Sequence, residues 1–283
     1  MTMPFDRHLV RSAAESLRQA RLRVSPARDP RGCGWDPPRE PMAEALAAPA
    51  VSVGAVIAKL SAVGPVLDQA GADRVAAFNQ LYLAISRRVQ SALQTVATEP
   101  VYLELLAVEL AKRYFTALDG WNRDDEDTPA VWAVLFGQSR DSGPSRLTAA
   151  LIGVNAQLNH DLPLALLGVW RELGPPTGDQ VHPDYRLLDQ IYYDEIAPLR
   201  RGFSAEWERD LGELIGPLDD WTGRAVGTAV RAHSWAQAGR LWPLRDDPAD
   251  FGQARHAMDE AAALIAEWAI VGDRLGTGDD LPA

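Results

Sequence analysis

From Leu147 to Arg171 the chain is apolar almost all round a helical wheel, and this stretch limits what the rest can fold into. On a 3.6-residue period Leu151, Asn155, Leu158, Asn159, Leu162, Leu166 and Val169 share one face, so two asparagines fall in the middle of what should be the driest stripe. Gln157 and Asp161 pair one turn apart on a second face. The other faces carry Gly153, Ala156, Leu164, Leu167 and Gly168, the composition of an enclosed helix. Every polar group on such a helix needs a partner. Pro163 removes a backbone donor and disfavours the helical conformation at Leu162, which frees the carbonyl of Asn159 and predicts a kink beside His160 and Asp161. The expected fold class is therefore all-α: a single helical bundle around a central, buried, Pro-kinked helix, with a mobile N-terminal arm.

Helical spacing recurs along the remainder. Asp6 to Val24 reads as a basic helix, and Ser25 to Pro41, rich in proline and without apolar periodicity, reads as a mobile linker. Helices are expected over Ser52 to Val63, Ala72 to Thr98, Pro100 to Trp121 and Pro129 to Gln138. Beyond the central rod come Pro183 to Ala197, Ala205 to Ile215, Leu218 to Leu241 and Asp250 to Gly272. Asp124 to Asp127 reads as a solvated acidic loop. Ser142 to Ser145 caps the rod, and the Gly174-to-Gly178 run ends it. No alternating run is long enough for a strand. The domain reading is an arm over 1–50, a helical bundle over 51–272 and a disordered tail over 273–283.

Three segments carry a resemblance to a known family. Gly153-Val154-Asn155-Ala156-Gln157-Leu158-Asn159-His160-Asp161-Leu162 resembles the signature of the DUF5995 family, helical bacterial proteins without a general assigned function. Ala76 to Leu83 and Leu106 to Leu118 resemble its earlier helices, so the likeness runs roughly from Val51 to Trp242. The resemblance implies an all-helical fold and little about reaction type. The family pattern commonly has histidine where this chain has Gln157, a departure that weakens any metal reading needing a ligand there.

Composition removes several classes of function. With 283 residues the chain can bury a sizeable core, and a net charge of -11 argues against nucleic-acid partners. Seven arginines against two aspartates and one glutamate make the first 32 residues +4, leaving -15 for the remainder. No apolar run approaches a membrane span. The single cysteine, Cys33, fits a reducing cytoplasm and has no histidine near it in sequence to make it a nucleophile. No phosphate-binding glycine loop or nucleophile elbow is present.

The candidate chemistry therefore gathers on the rod. Asn155 and Asn159 could present amide donors to a substrate oxygen, or bridge neighbouring backbones. His160 and Asp161 form a titratable pair whose side chains, about 100° apart on a helix, are expected to need partners from other helices. Asp184 or Asp189 could orient His160 as a general base. Asp189 and Tyr192 share a face of the following helix and supply a second wall. Arg231 could stack on Trp235 while pairing with Asp161, and Tyr82 and Tyr114 could turn hydroxyls inward. Glu109 and Arg113 read as a local pair. Metal needs more ligands than the pool offers at a recognisable spacing, and no cofactor is expected.

These residues favour an enzyme of small-molecule metabolism, with His160, Asp161 and Asn159 catalytic. Asn155, Tyr82, Tyr114, Asp189, Tyr192, Arg231 and Trp235 would bind a small, mostly apolar substrate for isomerisation, cyclisation or hydrolysis. The alternative is a binding or carrier protein using the same groups. Both readings require a ligand-sized cavity touching Asn155 or Asn159.

Overall fold

A computed structural model describes residues 38–138, 144–176, 181–202 and 232–276. Every regular element among them is helical. Helix α1 is Arg39–Ala47, α2 Val53–Gln69, α3 Asp73–Thr95, α4 Pro100–Asn122 and α5 Ala130–Gly137. The central rod is α6, Arg146–Ala156, a π-helical turn, Gln157–Asp161, and α7, Leu162–Leu173. Helix α8 is Pro183–Gly202, α9 covers 232–241, a 3-10 turn spans Trp242–Leu244, and α10 is Pro248–Gly276. The expected helix over Ala205 to Ile215 and most of that over Leu218 to Leu241 lie outside the described residues.

The rod is wrapped as its composition demands. Helix α3 packs on α6, α4 on α7, and α10 on α5, α6 and the π-turn. Their facing side chains form one continuous core that includes Phe78, Tyr114, Trp132, Leu162 and Leu166. Where α3 crosses α6 the approach is close enough to require glycine: a Cβ on Gly153 would lie 2.2 Å from the Phe78 ring. Gly174, at φ 86°, ends α7 in a conformation that only glycine adopts without strain.

Several helix starts are tied down by carboxylates from elsewhere in the chain. Asp259 of α10 accepts the Ala130 and Val131 amides at 2.7 and 3.0 Å, and Asp184 of α8 accepts those of Thr98 and Glu99 at 2.8 and 2.5 Å, just before α4. Asp273 accepts the Ser145 amide at 2.8 Å at the start of α6. Each places negative charge against unsatisfied N–H groups at the positive end of a helix dipole.

Several boundaries differ from the sequence reading. Residues 39–47, expected within the arm over 1–50, form α1, because Met42 buries its side chain completely against the bundle. Helix α2 continues past Val63 to Gln69 and carries Pro65 within it. Helix α10 runs to Gly276, past the expected start of a disordered tail at 273, and Asp273 is one of its capping residues. The rest of the expected arm and tail lies outside the described residues.

Candidate functional site

The rod does not simply kink at Pro163. Its hydrogen-bond ladder widens into a π-turn over Gln157–Asp161, in which the Leu162 amide donates to the Gln157 carbonyl, five residues back. Pro163 explains the position: in an α-helix its ring would strike the Asn159 carbonyl, and a wider turn moves that carbonyl away. The extra residue shifts the helical phase. Gln157, His160 and Asp161 are buried, at 0%, 5% and 1% exposure, while Asn155 and Asn159 are only half-buried and Leu151 is exposed. The stripe expected to be driest thus opens toward the surface at its Leu151 end.

At the centre of the buried group is Asp161. One carboxylate oxygen accepts the indole N–H of Trp132 at 3.0 Å, and the other lies 2.7 Å from His160 Nδ1. This corrects the expectation that adjacent side chains on the rod would diverge, leaving Asp184 or Asp189 to orient the imidazole. Asp184 is spent on the backbone before α4, and Asp161 itself orients His160. With a carboxylate facing Nδ1, the neutral form of the ring carries its proton on that nitrogen and a lone pair on Nε2, the tautomer a general base requires. Phe78, Tyr114 and Phe136 pack around the Trp132 ring, so the carboxylate sits in surroundings of low polarity.

Next to this dyad, the Tyr192 hydroxyl donates to Gln157 Oε1 at 2.8 Å, which fixes the amide so that its nitrogen points the other way. Gln157 Nε2 is buried and has no hydrogen-bond acceptor among the described residues. The amide lies close enough to Tyr82 to favour its phenolate slightly, yet without the geometry of a hydrogen bond. Burial, and after it the neighbouring Tyr192 and Asp161, nevertheless hold the Tyr82 phenol far above the ordinary tyrosine range. Burial raises Tyr192 and Tyr114 likewise, Tyr192 with help from Asp161. These phenols are therefore hydroxyl donors at any physiological pH. Tyr82 and Tyr192, with Ser86 and Leu188, border a cleft of about 10 Å³, room for one water-sized sphere.

Other candidates fall away from this centre. Asn159 Nδ2 donates to Asn155 Oδ1 and Asn155 Nδ2 donates to the Ala262 carbonyl, both at 2.8 Å, so the pair ties the rod to the α10 backbone. Neither the small cleft nor a larger one of about 340 Å³ elsewhere is lined by Asn155 or Asn159. Tyr114 donates to Asn79 at a long 3.4 Å, and Asn79 in turn donates to the Leu60 carbonyl. Trp235 packs on Trp170 and Tyr185 at ring distances of 5.4 and 5.0 Å. Arg231 and the side chain of Asp189 lie outside the described residues. Glu109 and Arg113 pair at 3.2 Å, as their spacing predicts. Among the described residues no three His, Cys, Asp or Glu side chains converge.

Sequence reasoning missed Trp132 and Ser234, which donates to the Leu158 carbonyl at 2.6 Å within the π-turn. Trp132 did leave a signal. It is the one side chain with a polar atom in the helix Ala130–Gly137, and a buried indole N–H needs an acceptor.

The fold and site define a class: an all-α protein whose central helix is interrupted by a π-turn that buries a histidine–aspartate pair. Within that class, the chain belongs to the family of unknown function DUF5995, whose sequence profile matches residues 53–271. No curated protein and no solved structure matches it. No described helix is long and apolar enough to cross a membrane.

Proposed function

We propose that this protein is a small-molecule enzyme working by acid–base chemistry, with His160 as the base, Asp161 holding it and Gln157 supplying an amide donor to a substrate oxygen. The observation that carries the reading is the juxtaposition on one π-turn of an oriented imidazole and a buried N–H without an acceptor among the described residues. Buried unsatisfied donors are rare and costly, and π-turns inside α-helices are frequent at functional sites. The apolar walls around Trp132, Tyr82 and Tyr192 suit a mostly apolar substrate, and isomerisation, cyclisation or hydrolysis all fit one base beside one oxygen-binding donor. Asn159, an amide bonded back to Asn155, takes no part in this scheme.

The reading is tested by incubating catalytic amounts of purified protein with a cellular metabolite extract and following the mixture by mass spectrometry. Many equivalents of one compound should be converted, and folded His160→Gln and Gln157→Leu variants should lose the conversion. Recovery of one unchanged compound bound one-to-one would establish a carrier instead. No compound converted or bound would make the buried cluster purely structural.

A further inference from the structure

Helix α1 lies across α2 and α4, and the three leave a cleft of about 340 Å³, within the range of small-molecule sites. One wall is the small-residue side of α1, Ala43 and Ala47, and the other combines Lys59 of α2 with Lys112, Phe115 and Asp119 of α4. Position 112 and positions 115 and 119 recur at one-turn spacing, so one face of α4 supplies this wall. No residue of the π-turn lines the cleft, and α1 precedes the residues that the family profile matches.

The charges in the cleft are not all committed. Lys59 Nζ donates to the Leu46 carbonyl at 2.8 Å, one of the open carbonyls at the end of α1, and lies 5.0 Å from the centre of the Phe115 ring. Burial lowers its pKa, an effect that Asp119 opposes. Two ammonium hydrogens remain for another acceptor. Lys112 pairs with Glu109 at 2.7 Å, but its side chain is half exposed, and surface pairs of this kind are easily exchanged. Asp119 pairs with Arg123 at 2.9 Å, an exposed pair of the same kind, so the lining sets two ammonium groups against one carboxylate. The cleft is thus a cationic spot on a chain of net charge -11, with apolar surface directly beside it.

We propose that this cleft binds a small monocarboxylate with an alkyl or aryl body, the carboxylate held by Lys59 and Lys112 and the apolar part laid between Ala43, Ala47 and the Phe115 ring. Two cations set directly beside an aromatic and alanine wall match an amphipathic acid, whereas an amine would meet two ammonium groups against one carboxylate and an alcohol would forgo both ion pairs. The site is independent of the reading of the π-turn, and its failure would leave that reading untouched.

Calorimetric titration of the full-length protein with octanoate and with phenylacetate, and with octylamine and octanol as controls, tests the proposal. At least one of the acids should bind one-to-one and the controls should not. Lys112→Glu should weaken that binding by about tenfold or more, and Ala47→Trp, which fills the cleft, should abolish it, with circular dichroism unchanged in both. If Ala47→Trp does not fold, Ala43→Trp takes its place. Absence of binding by both acids, equal binding of octanol or octylamine, or binding that survives both substitutions would each overturn it.

Discussion

Asn155 and Asn159 are interleaved in sequence with Gln157, His160 and Asp161, yet the two sets have opposite surroundings. The asparagines form a half-exposed relay ending on a backbone carbonyl of α10, with each amide nitrogen paired. The other three are buried together, and they retain an oriented imidazole and an amide donor without an acceptor among the described residues. The difference teaches that polarity on a buried helix is not itself a sign of chemistry. What separates the sets is residual bonding capacity, and a one-residue widening of the helix decides which set turns inward.

The comparison is broken most severely at Asp161. Asp161→Ala removes the acceptor of both the Trp132 indole and the His160 ring, and should cost about 3 kcal/mol of stability, measured by urea unfolding. A loss no larger than that of an exposed asparagine would show that the two clusters do not differ. Gly153→Ala comes next, on the same inward side of the rod. Its methyl would overlap the Phe78 ring, for an expected loss of about 2 kcal/mol, partly recovered by adding Phe78→Leu. By contrast, the three atoms nearest a Cβ on Gly168 all belong to the flexible Glu109 side chain, and Gly168→Ala should cost less.

Alkali probes the same interior. Tyr82, Tyr102, Tyr114 and Tyr192 all have raised pKa values, each chiefly through burial. A phenol whose folded pKa exceeds its unfolded value stabilises the fold fully below about pH 10, and that contribution is lost as pH climbs toward the folded value. Phenolate absorbance from these four should therefore rise only together with unfolding. Their titration while the protein stays folded would contradict their burial. The smallest effect belongs to the relay. Asn159→Ala should cost about 1 kcal/mol or less and leave any enzymatic conversion intact, because Asn155 keeps its bond to Ala262.

The fold was largely legible in the sequence because its determinants are local. The 3.6-residue spacing, Pro100 at the first turn of α4 and Gly174 after α7 each act within one turn of the chain. The centre was legible only in part. Pro163 pointed to the right place, but a proline predicts a disturbed ladder without saying whether it bends or widens, and the widening is what swapped the faces. A wheel drawn at 3.6 residues per turn therefore put Asn155 and Asn159 in the core. Pairings across the bundle, such as Trp132 with Asp161 or Asp273 with Thr148, depend on tertiary packing that no local pattern encodes. Helix α1 escaped notice because a single buried methionine among prolines carries little periodic signal.

The account depends most on the imidazole of His160 being held by Asp161 with its proton on Nδ1. Nitrogen-15 NMR of the histidine side chains tests this directly. A strongly downfield Nδ1–H resonance should appear for His160, disappear in Asp161→Ala and persist in Asn159→Ala. A His160 ring protonated on Nε2, or a spectrum that Asp161→Ala leaves unchanged, would contradict it.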